Sequence, residues 1–125
     1  MKLEYLHDGS PHCPLIRLYD FTRSEAAMLV KAIHSLTTGD NETVAISELP
    51  GVIALAGLSL KFKNGNQGHG TNGTFPNFTY ELTKDRWMAV ESLVEPFSLN
   101  DMQACYQWLE DQGEISLLLS PKGLW

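Results

Sequence analysis

Between Thr22 and Gly39 the apolar residues Ala26, Leu29, Val30, Ile33 and Leu36 recur three and four positions apart. That spacing gathers side chains along one stripe of an α-helix. Thr22-Arg23-Ser24-Glu25 supplies a capping box at the start, and Gly39 a residue suited to a left-handed stop. A second helix is expected over 83–96. Thr83 is its cap, Trp87, Val90, Val94 and Phe97 form its stripe, and Pro96 lies where the helix should be interrupted.

Elsewhere the pattern changes to period two. Leu3 and Tyr5 alternate with Lys2 and Glu4, and Leu15–Tyr19 follows after an Asp8-Gly9-Ser10-Pro11 turn. These read as two strands able to form a hairpin. Leu58, Leu60 and Phe62 alternate with Ser59, Lys61 and Lys63, as Phe78, Tyr80 and Leu82 do with Asn77, Thr79 and Glu81. The expectation is a long-looped hairpin with one wet face, on which Lys61 or Lys63 meets Glu81. Thr43–Ser47 is a short β-branched run, and Val52–Ala56 is apolar on both faces. Ala104–Leu109 and Ile115–Leu119 flank a turn at Glu110-Asp111-Gln112-Gly113.

The order is β-β-α-β-β-β-α-β-β. It implies an α+β fold, an antiparallel or mixed sheet of about six to seven strands with two helices on one face. Its β-α-β-β-α-β core is also the order of a ferredoxin-like fold. With 125 residues and no linker or repeat, a single domain over 1–125 is expected. Hydrophobic residues at 43% and charged ones at 19% exclude a disordered chain.

Charge changes the functional picture. The net charge is −6, and residues 85–114 hold seven acids against one base, Arg86. Such a surface repels phosphate, so neither nucleic acid nor an anionic membrane is an expected partner. A basic protein partner is. The first seven residues lack a signal-peptide apolar run, and the longest apolar stretch, Val52–Leu58, is too short to span a bilayer. A soluble, cytoplasmic protein is the expectation, and the sequons at Asn41, Asn72 and Asn77 carry no weight in it.

Motifs of chemistry are sparse. The loop 64–74, with glycines at 65, 68, 70 and 73 around His69, lacks the Gly-Lys-Ser/Thr of a phosphate-binding loop and precedes a strand rather than a helix. It is expected to be mobile. His7, His12 and Cys13 cluster near the first turn, but in no spacing of a structural zinc site. No structural metal and no cofactor are therefore expected. Cys13 and Cys105 are too few for a disulfide framework. Asp20 suits either an acid–base role or a helix cap, and Glu91 and Glu95 stand one helical turn apart. Tyr106 and Trp108 share a strand face whose neighbours are acids, which argues against a nucleic-acid platform.

These features favour a non-catalytic protein-interaction module. The alternative is a small enzyme or ligand-binding domain built on loop 64–74 around His69. One further expectation concerns coverage. Two helices can blanket only one face of the sheet, yet Ile115–Leu119 is apolar on both, with Leu118 opposite Leu117 and Leu119. A homodimer through that second face is the expected solution, and the alternative is internal cover by the N-terminal hairpin, residues 97–103 or Trp125.

Overall fold

The structure, a computed structural model, describes residues 1–8, 11–65, 71–100, 105–111 and 114–123, with the backbone alone at 71 and 72. Helix α1 spans Arg23–Thr38 with Thr22 as its cap. Both halves of the capping box form. The Glu25 amide donates to Thr22 Oγ1 at 3.3 Å, and the Thr22 amide donates to Glu25 Oε1 at 3.1 Å. Gly39 closes the helix at φ +83°, its amide donating to the Leu36 carbonyl. Ala26, Leu29, Ile33 and Leu36 are fully buried.

Helix α2 spans Lys84–Leu99, capped by Thr83. Its stripe of Trp87, Val90, Val94 and Phe97 is buried as the spacing implies. Pro96 does not end it. A proline removes one amide donor from the ladder but leaves the next turn free to form. Here the Asn100 amide still bonds the Pro96 carbonyl at 3.0 Å. The buried Phe97, its ring edge-on to Phe21 at 6.2 Å, anchors that last turn.

The fold is α+β, but its strands form two sheets rather than one. The first contains β1 (Lys2–Leu6), β2 (Leu15–Tyr19), β4 (Ile53–Ala54), β8 (Gln107–Glu110) and β9 (Ser116–Ser120), in the order β4-β1-β2-β9-β8. The second contains β3 (Thr43–Ala45), β5 (Ser59–Asn64), β6 (Thr71–Thr74) and β7 (Asn77–Leu82), in the order β3-β5-β7-β6. Strands β2 and β3, which flank α1, lie in different sheets. The βαβ unit of a ferredoxin-like core is therefore not formed.

The anticipated hairpin of β5 and β7 is also corrected. These strands pair in parallel, and β6, inside their connection, turns back antiparallel on the far side of β7. Lys63 nevertheless stands opposite Glu81, and Lys61 opposite Thr79. Strands β1 and β2 pair antiparallel as expected. Strand β9 lies between β2, parallel to it, and β8, antiparallel. That central position explains its unbroken apolar run, since a strand flanked on both edges and covered on both faces has no reason to alternate.

Both helices and the inner faces of both sheets share one buried core. It includes Leu3, Ile16, Leu18, Leu29, Leu60, Phe62, Tyr80, Trp87, Leu117 and Leu119. Polar groups tie it at its seams. The Trp87 indole N–H donates to the Lys63 carbonyl at 2.9 Å, and the Tyr80 hydroxyl donates to the Ile115 carbonyl at 2.7 Å, joining the two sheets. Leu118 is fully buried within its own chain, so it is no open contact surface. No described helix is long and apolar enough to cross a membrane.

Candidate functional site

Strand β4 is only two residues long. After Ala54 the chain enters a 3-10 turn at Leu55–Gly57, in which Ala56 (φ +56°, ψ +31°) and Gly57 (φ +72°) are left-handed. A left-handed alanine is strained, its Cβ pressed toward the following carbonyl. The turn breaks the ladder with β1 while staying beside it, with Leu55 and Ala56 facing Tyr5 across a cleft. Strand β1 pairs with β4 only at Lys2 and Leu3, and among the described residues nothing pairs with Glu4–Leu6 on that side.

The orientation of the exposed main chain follows from strand alternation. The Ile53 amide donates to the Met1 carbonyl at 2.9 Å, so the odd-numbered residues of β1 present their N–H and C=O toward β4. Tyr5 is the odd-numbered residue beyond the end of β4. Its main-chain groups face the space that β4 has left.

That space is a cleft of about 380 Å³ lined by Glu4, Tyr5, His7, Leu55, Ala56 and Phe75. Phe75 lies in the tight turn between β6 and β7 and remains 48% exposed. Its ring stacks on Tyr5 at 5.5 Å, and Tyr5 in turn packs on Phe78 at 5.0 Å. His7, exposed, sits edge-on to the same tyrosine at 6.3 Å. Glu4 is engaged by Arg17, whose Nε donates at 2.8 Å and whose Nη2 lies 2.6 Å from the carboxylate. The Arg17 guanidinium also lies over the Tyr19 ring at 4.0 Å. The walls are thus mostly aromatic and aliphatic, and their polar groups are the His7 imidazole and the Glu4 carboxylate, which Arg17 already engages.

The residues singled out in the sequence do not converge here. His7 faces Tyr5, whereas His12 packs against Trp108 at 5.3 Å, on β8 at the opposite end of the sheet order. Cys13 is half-buried, Cys105 exposed, and both are free thiols. Among the described residues no three His, Cys, Asp or Glu side chains stand close enough to hold a metal. Asp20 is not the helix cap, a role that Thr22 fills. It is exposed and left-handed at φ +52°, and it pairs with Lys2 at 3.1 Å. The hydrogen bond from Lys2, and then its charge, hold the Asp20 carboxyl below its usual range, while Lys2 is raised in return. His69 and the rest of 66–70 lie outside the described residues.

Among the described residues of the acid-rich window, not every acid lies open on the surface. Glu110 is buried at the end of β8, not in a surface turn, and is paired with Arg86. Glu91 receives His34 Nδ1 at 3.1 and 3.2 Å from its two oxygens, while Glu95 is exposed without sharing that contact. Asp85, Glu95, Asp111 and Glu114 remain as exposed acids. Sequence reasoning missed His34, whose partner lies 57 positions away on the other helix. It also missed the cleft, whose walls come from three separate stretches of chain. The one available signal was Phe75, a large apolar residue next to a proline in an otherwise polar stretch. The chain matches no family model, no curated protein and no solved structure, so its functional reading rests on this geometry alone.

Proposed function

We propose that this chain is a non-catalytic protein-interaction module that receives a partner in the cleft beside β1. The observation that carries this reading is the solvent-facing Phe75–Tyr5 stack, which walls an apolar cleft of about 380 Å³. Well-packed aromatic anchors beside a pocket are where binding energy concentrates at protein interfaces. The net charge of −6 supports a neutral or basic partner over an acidic one. A homodimer, the other association the sequence points to, has to form away from Leu118, which its own chain already covers.

The cleft volume supports a second reading. It falls at the small end of the roughly 300–1,000 Å³ range of small-molecule sites, with His7 as a polar anchor at the rim. A photo-crosslinking phenylalanine analogue placed at position 75 in the native host separates the two. Protein adducts at position 75, absent when the analogue replaces the exposed Lys31, are the expected result. If position 75 yields no protein adduct while native mass spectrometry of the purified chain reveals a bound small molecule, the ligand-binding reading replaces the first.

A further inference from the structure

We infer that the partner enters this cleft as an extended segment that adds a strand to the free edge of β1 at Tyr5, an inference that rests on the docking reading above. Three features specify the occupant. The first is main-chain hydrogen bonding. Tyr5 N–H and C=O face the space beyond β4, and among the described residues no backbone group pairs with them there. An unpaired sheet edge is a template for another strand, and main-chain pairing supplies affinity in such additions.

The second is the shape of the vacancy. It continues the line of β4, which runs parallel to β1 and stops after two residues. The left-handed pair Ala56–Gly57 breaks the ladder at that point, and the cleft of about 380 Å³ between this turn, Tyr5 and Phe75 is the space an incoming segment would take. The third is the lining. Alternate side chains of an added strand point to opposite faces. One of them meets Tyr5, Leu55 and Phe75, which selects an aliphatic or aromatic residue. The chain's net charge of −6 selects against acids elsewhere in the segment. The occupant is thus an extended, non-acidic segment of a partner protein carrying one large apolar side chain.

Selection of a displayed random-peptide library against the full chain, followed by amide exchange measured by NMR, tests this. Enriched peptides should carry a single large apolar residue amid neutral or basic ones, and Phe75→Ala should weaken them at least tenfold while leaving the unfolding midpoint unchanged. The Tyr5 amide should exchange rapidly in the free chain and at least tenfold more slowly in the complex. N-methylation of the peptide nitrogen facing Tyr5 should abolish binding. Phe75-dependent binding with unchanged Tyr5 exchange would overturn strand addition but keep the docking reading. Failure to enrich any Phe75-dependent peptide overturns both. Slowing of the Tyr5 amide when the chain alone is concentrated would assign the edge to a second copy instead and reject a separate partner.

Discussion

Glu25 closes the capping box through one carboxylate oxygen and meets the Met1 amine through the other. Burial alone would raise its pKa. Hydrogen bonds from the Met1 amine and the Thr22 amide outweigh burial, and the net direction is downward from 4.5. A carboxyl with a lowered folded-state pKa contributes stability that is complete above the unfolded value and is lost as pH falls through the folded one. Urea midpoints should therefore drop on acidification below about pH 4.5. Glu25→Gln, which keeps a capping acceptor, should flatten that part of the profile. Leu29, fully buried on the same helix, gives a second prediction. Leu29→Ala should cost about 2–5 kcal/mol in denaturant unfolding. Thr22, Leu29 and Gly39 were legible in the sequence because capping and helical periodicity act within a few residues. The left-handed Asp20 and Ala56 were not, since no short-range rule demands that backbone there. Nor was the pairing of His34 with Glu91, which exists only once the two helices lie together.

At the scale of elements, Pro96 shows packing overriding a local signal. The proline denies the Ser92 carbonyl its helical donor, yet α2 continues to Leu99 because Phe97 is buried. Pro96→Ala restores the donor and should raise stability by about 1–3 kcal/mol, read as a higher urea midpoint at an unchanged slope. Strand existence was legible wherever apolar and polar residues alternate, because alternation marks a half-buried strand whatever its partner. Strand β6, Thr71–Thr74, lies in the polar Gly- and Asn-rich stretch read as a loop and gives no such signal. Pairing was not legible. Parallel and antiparallel strands share the same period of two, so the alternation in β5 and β7 could not report their direction. The connection was the better guide. Its twelve residues, 65–76, are more than a tight hairpin needs and enough for a crossover between parallel neighbours. Strand β4 covers only Ile53–Ala54 of the apolar run Val52–Ala56. Val52 and Ala54 pack against the core, and the ladder with β1 ends at Ala54.

For the whole molecule, the apolar residues on both faces of β9 allow either a second subunit or the chain's own segments as cover, and Leu15 and Leu118 are buried within one chain. Leu118→Glu therefore forces a carboxylate into a closed interior. It should cost at least about 3 kcal/mol and lower the unfolding midpoint, with light scattering showing no change of mass in the fraction that stays folded. A folded variant of half the parent's mass would restore the face as an interface. The class α+β was legible because it depends on counting elements. The division into two sheets was not, because it depends on which distant strands meet, and β2 meets β9 across almost the whole chain. That pairing also bears on how the protein is made. The ribosome delivers β2 early, but Ser116 emerges only after about a hundred further residues, roughly 5–20 seconds later at ordinary rates of translation. Through that interval the nascent β1–β2 hairpin presents Leu15, Ile16 and Leu18 beside an unfilled strand position. Its escape from the ribosome without aggregation thus depends on what shields that edge while the rest of the chain is synthesised.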